Sequence, residues 1–248
     1  MKDLKGIEVC FSPALFPYHE NREAVAVIID TLRATSAIIT AFENGVERLI
    51  PVKTIEEARE YKKKGYIVAA ERDGFVLDFA DFGNSPFNFT KERIKGETIV
   101  YSTTNGTQAI QMAASCYRVV IGAFLNISVL CDWLIGQNRN VLFICAGWKN
   151  RFNLEDTVCA GAMVEKLLQS KCFETICDST NASLDLWRQA KTDLLTYIDK
   201  VAQRSRLREK GLDDVIPYCH TPDSCSVIPA FKNGYLIDIK NFNNVPSL

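Results

Sequence analysis

The apolar residues of this chain alternate between two patterns, short unbroken runs and longer stretches at helical spacing. Residues 25–29 read VAVII and pass without a polar interruption into Asp30, Thr31, Leu32, Arg33, Ala34 and Thr35. A continuous Val/Ile run suits a strand covered on both faces, as in a parallel sheet. The following TSAIITAFENG places apolar residues on one helical face and stops at Gly45. The alternation predicts further strands at 6–11, 47–52, 66–70, 98–101, 117–124 and 141–145. It predicts helices at 54–64, with Thr54 and Glu57 as a capping box, and at 108–115, 126–135 and 155–169. Residues 183–210 read as one largely helical, charged segment ending at Gly211, with a hairpin around Lys232-Asn233-Gly234. The expected fold is α/β, a three-layer α/β/α arrangement with a mostly parallel sheet and a C-terminal helix and β-hairpin.

Composition narrows the functional classes. With 47% apolar and 24% charged residues, the 248-residue chain can bury a substantial core as one domain, 1–248. A formal net charge of −1 without a basic block argues against nucleic acid as the main partner. No apolar run approaches membrane-spanning length and the N-terminus lacks a signal-peptide core, so no membrane partner and a cytoplasmic location are expected. The nine cysteines are odd in number, lie mostly in apolar segments (Cys116, Cys131, Cys145, Cys159) and form no CxxC pair. That usage favours reduced thiols over disulfides or a structural zinc. His19 and His220 form no metal pair and are expected at the surface.

The chain also resembles itself. VIIDTLRATSAIITA matches IVYSTTNGTQAIQMA at a constant offset of 72 residues, aligning Thr35 with Thr107, Ala37 with Ala109 and Ile38 with Ile110. This suggests two βαβ-based halves, about 24–95 and 96–170, followed by an extension over 171–248. Their strand-to-helix turns would face one another across a shared cleft. Asp30 corresponds to Ser102 and Arg33 to Asn105, so one turn would bring charge and the other neutral donors beside Gly106. Backbone amides of 105–107 at a helix start could cradle an anion.

Asp30, Arg33 and Thr35 at a buried strand's end fit a metal–phosphate pair, since ligands bind there in open α/β sheets. They equally fit a helix cap with Asp30 paired to Arg33. Asp30, Glu71 and the Glu155–Asp156 pair, if convergent, would bind Mg²⁺ through hard oxygen ligands. Glu155 and Asp156 also suit a helix start on dipole grounds alone. Two rival chemistries are visible. Cys145 and Arg151 have the C-x5-R spacing of cysteine-dependent phosphatases, though Trp148 and Phe152 are bulky for a phosphate cradle. The aspartate-nucleophile phosphatases of the haloacid dehalogenase type need a second Asp where this chain has Leu32. Residues 74–89, rich in Gly, Pro and Asn, form a loop too long for a plain connector.

DTLRATSAIITAFENG, AAERDG, DFGNSP, STTNGT and CAGWKNRFNLED, in this order, resemble the 2-phosphosulfolactate phosphatase family over nearly the whole chain. The resemblance implies a Mg²⁺-dependent phosphatase hydrolysing 2-phospho-3-sulfolactate to sulfolactate, a step of coenzyme M biosynthesis, on an α/β fold unrelated to the haloacid dehalogenase type. It implies that Asp30, Glu71 and Asp156, with Glu155 beside them, are metal-site acids. It places Arg33, Thr35, Asn84, Ser85, Thr104, Asn105, Gly106 and Thr107 in the substrate pocket. Arg72 is expected to help Arg33 clamp phosphate oxygens. After CAG the family usually continues with small residues, where this chain has Trp148, Lys149, Asn150 and Arg151. A non-catalytic binder of anionic metabolites is the reading from another class. A homodimer is a further expectation, with 183–210 packing on its own domain or on a second subunit.

Overall fold

In the computed structural model, which describes residues 4–244, the apolar runs become strands of a single sheet. In chain order they are β1 (Lys5–Cys10), β2 (Val25–Ile29), β3 (Arg48–Pro51), β4 (Ile67–Arg72), β5 (Phe75–Val76) and β6 (Thr98–Ser102). Then come β7 (Arg118–Gly122), β8 (Val141–Cys145), β9 (Phe173–Thr175), β10 (Pro229–Lys232) and β11 (Tyr235–Asp238). The lateral order is β5-β4-β6-β3-β11-β10-β7-β2-β8-β1-β9. β1 pairs in parallel with β8 and β9, β2 with β7 and β8, and β6 with β3 and β4.

The connecting helices are α1 (Ala34–Glu43), α2 (Ile55–Lys63), α3 (Lys91–Ile94), α4 (Gly106–Met112), α5 (Ile127–Gln137) and α6 (Leu154–Gln169). Thr54 caps α2 as its sequence requires, accepting from Glu57 N while Glu57 accepts from Thr54 N. β2 shows why its residues are apolar throughout. Ala26 and Ile28 pack on one side with α1 and α4, whereas Val25, Val27 and Ile29 pack on the other with α5 and α6. Helices on both faces of a mostly parallel sheet give the three-layer α/β/α fold.

The hairpin is no appendage. β10 lies against β7 and β11 against β3, both antiparallel, so the hairpin fills the middle of the sheet. Its turn is closed by Asn233 and Gly234 at positive φ, as expected for Asn-Gly. Ala230 and Leu236 are fully buried there. On either side of the hairpin the order is matched. β2 of the first segment sits between β7 and β8 of the second, and β6 of the second sits between β3 and β4 of the first. The two segments therefore interleave instead of standing side by side.

The charged segment 183–210 departs from the expected single helix. α7 (Asp178–Ala190) ends before a short α8 (Leu194–Tyr197), and α9 (Ala202–Glu209) and α10 (Ile216–Cys219) follow. Asp193 breaks the run by capping α8, its carboxylate accepting from Thr196 N at 3.1 Å. The break folds the chain back on itself, so that Ile198, Val201, Leu207, Val215 and Ile216 bury against Leu32 of the β2–α1 turn. That packing carries α9 to the site described below.

The histidines also differ from expectation. His19 is partly buried against Glu8 at 2.9 Å. His220 is 4% exposed, bonded through Nδ1 to the Ile216 carbonyl at 2.8 Å, and stacked near Phe124. Its Nε2 is buried without a partner among the described residues, and burial pushes its pKa down to about 4. Such a group is neutral in the folded protein, whereas the unfolded chain takes up the proton near the ordinary histidine value of about 6.5. Stability is therefore full above that value and declines as pH falls from about 6.5 through about 4, by roughly 3 kcal/mol for this group. Urea unfolding at a series of pH values should show this slope in the wild type and a shallower one in His220→Asn. Parallel slopes would remove His220 from the acid limb.

Candidate active site

The site forms where the β2–α1 and β6–α4 turns meet. Tyr101 Oη at the end of β6 donates to the Ala34 carbonyl at 3.1 Å, locking one helix start to the other. Gly106 stands at the contact. A Cβ there would come within 2.9 Å of the Ala34 Cβ and 3.2 Å of Asp30 Oδ2, so the approach requires glycine. The facing of the two turns expected from the sequence is thus realised as direct contact. The turn of 30–33 contains a cis peptide between Leu32 and Arg33.

Four carboxylates lie in or under this junction, all nearly buried: Asp30, Glu71, Glu155 and Asp156. Asp156, in the first turn of α6, accepts from Thr31 N at 2.9 Å through Oδ1 and from Gly147 N at 3.1 Å through Oδ2. It ties the loops after β2 and β8 together from behind the cleft. Glu71, the last buried residue of β4, accepts from Thr104 N at 2.8 Å and from Gly74 N at 2.6 Å. Asp30 is less committed, with Ala34 N at 3.5 Å from Oδ1. Burial first, and then the Asp156 carboxylate, hold the Asp30 carboxyl well above its ordinary range. Burial and Glu155 do the same to Asp156, and Glu155 is pushed up to about 7, mainly by burial.

Arg33 is 4% exposed and lines the cleft, yet its guanidinium makes no hydrogen bond or ion pair with any described residue. The simple Asp30–Arg33 pairing is therefore not formed. A nearly buried guanidinium without a protein acceptor, facing a cleft, is an anion site in waiting. The cleft itself is small, about 20 Å³, and is lined by Asp30, Arg33, Glu71, Asn84, Thr103 and Asn105, with Trp148 and Gln203 closing it. Its mouth is tied by Lys149 Nζ on Asp73 Oδ1 at 2.9 Å, and by Lys149 N on Asn105 Oδ1 at 3.1 Å. Lys210 Nζ also donates to the Asp73 carbonyl.

Other residues singled out in the sequence line the cleft or support it from outside. Thr35 is buried, its hydroxyl accepting from Asp30 N at 3.1 Å, and Thr107 Oγ1 donates to the Thr103 carbonyl at 3.2 Å. Thr104 lines the cleft but gives its N–H and hydroxyl to Glu71. Asn84 reaches the cleft from the long loop, and its buried Oδ1 has no partner among the described residues. Ser85 precedes the turn Pro86–Asn88 and does not line the cleft. Arg72 points away from it, donating to the Glu71 and Lys53 carbonyls and to Ser102 Oγ, and so is not placed to clamp a phosphate.

The cysteine chemistry fails on geometry. Cys145 is fully buried in the core under α6, and burial, then Asp156, push its thiol well above the ordinary value, the opposite of what a nucleophile needs. Arg151 is exposed and closes a tight turn with Trp148, their backbones exchanging 3.0 Å bonds. Gly147 at φ +63 admits that turn, since a Cβ would meet the Arg151 carbonyl oxygen at 2.2 Å. Trp148 lines the cleft from the loop after β8, where its bulk was noted in the sequence, whereas Gln203 was not expected at the site. Gln203 lies about 170 residues from the turn it contacts through the Leu32 carbonyl, and nothing local in its sequence marks it.

The donor set can be tested against a hard cation. Among the described residues no three His, Cys, Asp or Glu side chains converge as a ready-made metal cage. Mg²⁺, however, is commonly held by one or two carboxylates together with waters and substrate oxygens. Asp30 and Glu71 both line the cleft, and the mutual repulsion of the buried acids at Asp30 is what a cation relieves. The chemistry fits Mg²⁺ at these two, with Asp156 behind them.

Residues 10–234 match the protein family described as 2-phosphosulpholactate phosphatase. Among curated relatives, one from Caldanaerobacter subterraneus subsp. tengcongensis is 36% identical over 225 residues, covering 89% of this chain and 93% of its own length. One from Thermotoga maritima is 38% identical over 217 residues, covering 88% and 92%. A third, from Clostridium beijerinckii, is 34% identical, covering 86% and 91%. All three bear the name "Probable 2-phosphosulfolactate phosphatase".

The tight junction of the two turns makes a prediction. Gly106→Ala should lower stability by about 1–3 kcal/mol in chemical denaturation, because backbone must move to admit the methyl group. Ala34→Gly in the same chain should recover part of that loss. Additive losses in the double variant would show that the two positions do not touch.

Proposed function

The chain belongs to the 2-phosphosulfolactate phosphatase family, and from that premise we propose that it hydrolyses 2-phospho-3-sulfolactate to sulfolactate and phosphate with the help of Mg²⁺. The observation that carries the reading is Arg33, a nearly buried guanidinium with no described protein partner, beside an acid that burial and other acids keep from ionising easily.

Phosphoryl transfer needs little covalent work from the protein. Positioning and stabilisation of spreading negative charge supply most of the acceleration. Arg33 binds the non-bridging phosphate oxygens and is held in place by burial of the turn that carries it. Asp30 and Glu71 would hold Mg²⁺, which supplies positive charge against the phosphoryl oxygens. Glu71 is fixed by the Thr104 and Gly74 amides, so its orientation survives substrate entry. Asn84, with its unpartnered carbonyl oxygen, offers an acceptor for the attacking water. Asp156 contributes by fixing the loops and by raising the field at Asp30. Among the described residues no helix is long and apolar enough to cross a membrane. The burial of Cys10, Cys131, Cys145, Cys159 and Cys219 within the apolar core is the usage expected of thiols in a reducing, cytoplasmic setting.

Phosphate release from 2-phosphosulfolactate, followed with Mg²⁺ and with EDTA, tests the reading. Wild type should turn over with Mg²⁺ and stop in EDTA. Arg33→Ala should lose about 10²–10³-fold in kcat/KM, the scale of removing one preorganised donor to a developing anion. Cys145→Ser should retain activity to within roughly threefold, since its thiol is remote from the cleft and protonated. If no small phosphorylated hydroxy acid is turned over, yet such acids raise the melting temperature, the site is a metabolite sensor instead.

A further inference from the structure

One wall of the cleft is built by α9, far in sequence from the turns. Gln203 lines the cleft and donates from Nε2 to the Leu32 carbonyl at 3.2 Å. Arg206, one helical turn on, donates from Nε to Gln203 Oε1 at 2.8 Å. Its guanidinium lies over the ring of Trp148, 4.6 Å from the centroid, and Trp148 is itself a cleft residue. The group is therefore held on two sides by residues that face the cleft. Its Nη2 is buried with no hydrogen-bond partner among the described residues. Glu155 is the carboxylate whose charge acts on it, but no ion pair forms between them within 4.0 Å, so neutralising that acid does not use up the guanidinium. An arginine pinned by its Nε and one face, with an N–H edge unspent, is prepared to receive an anion.

We propose that Arg206 is the residue that reads the sulfonate of the substrate, with Trp148 and Gln203 fixing its orientation. This rests on the phosphatase reading above. In 2-phospho-3-sulfolactate the carboxylate is attached to the same carbon as the phosphate ester. It must lie close to the phosphorus, and so beside Arg33 and the two turns. The sulfonate is carried one carbon further out, which directs it to the wall opposite the reacting bond. That wall is Gln203 and Trp148, with Arg206 against them. The match is also one of hydration. A guanidinium stacked on an indole is weakly hydrated and flat, and a sulfonate is a weakly hydrated anion with three oxygens that can meet an N–H edge. An ammonium at the same place would be more strongly hydrated and offers no flat N–H edge, so lysine replaces the guanidinium only in part. The bulky residues that follow CAG in this chain thereby gain a task, since Trp148 supplies the face on which the guanidinium rests.

The test is the ratio of kcat/KM for 2-phosphosulfolactate to that for 2-phospholactate, which keeps the phosphate and carboxylate and lacks the sulfonate. Wild type should favour phosphosulfolactate. In Arg206→Gln that preference should fall by about 10–100-fold, the scale of one charge-assisted hydrogen bond to a ligand. Arg206→Lys, which keeps the charge and guards against a folding failure of the Gln variant, should lose a smaller part of the preference. Inhibition by sulfolactate should weaken in both variants more than inhibition by lactate. Equal losses on both substrates would make Arg206 a structural strut and overturn the proposal, as would a wild type with no preference or an unchanged ratio in the variants. Phosphate release from neither substrate by the wild type would instead bring down the phosphatase reading itself.

Discussion

Everything at this site depends on a carboxylate that never reaches the cleft. Asp156 accepts from two backbone amides, Thr31 after β2 and Gly147 after β8, and so joins the two loops to the start of α6. Backbone donors are a suitable partner for a buried acid because they cannot swing away. No positive side chain bonds to it among the described residues, so its charge is left to act on what surrounds it. The nearest consequence is at Asp30, where Asp156 is the largest charge working against ionisation after burial itself. A site that stacks buried acids behind one acid at the cleft keeps that acid from ionising easily.

The same electrostatics explain why Arg33 remains available. An Arg–Asp pair within contact would be the easy way to quiet Asp30, and it would also occupy the guanidinium. Here Asp30 and Glu71 act on Arg33 through space without a direct bond, and burial in turn depresses the guanidinium's hold on its proton. The arrangement stays compatible with folding because Arg33 is packed, not because it is paired. Its neighbour Leu32 is anchored by Ile198, Val201 and Leu207, and Gln203 bonds the Leu32 carbonyl. The distal arm of the chain thus holds Arg33 in place.

What the sequence showed and what it hid divide along the range of the forces involved. β2, α1, β6 and α4 were legible because apolar runs and a helical period are local signals, whereas Gly106 was read as a flexible turn residue and its close approach to Ala34 shows only in the fold. Glu71 was legible as a candidate because it ends a strand, whereas Asn84 was named only through the family resemblance, in a long Gly/Pro loop that itself suggested a task. The direction of a side chain was not legible. Arg72 follows Glu71 by one residue and, by strand alternation, turns to the Lys53 carbonyl and Ser102 instead of the cleft. Cys145 likewise faces the α6 side of β8, so its C-x5-R spacing is an accident of sequence. The role of α9 could not be read at all, because it rests on one aspartate breaking a helix and on a fold-back spanning the whole chain.

The strand order adds a constraint on how such a site is built. On each side of the β10–β11 hairpin, one segment's first strand is inserted between two strands of the other. The two strand-to-helix turns are therefore brought nose to nose by the sheet itself. A pair of identical turns would meet like with like, two aspartates or two arginines, and neither combination could be buried at acceptable cost. The contact is possible because the turns differ. Asp30 and Arg33 bring charge, while Ser102 and Asn105 are neutral and Gly106 leaves room for Ala34 and for the Asp30 carboxylate. A near-symmetric scaffold thus yields an asymmetric cleft, with the charged turn on one side and the close-packed turn on the other, and a phosphate ester is itself asymmetric about the bond that breaks.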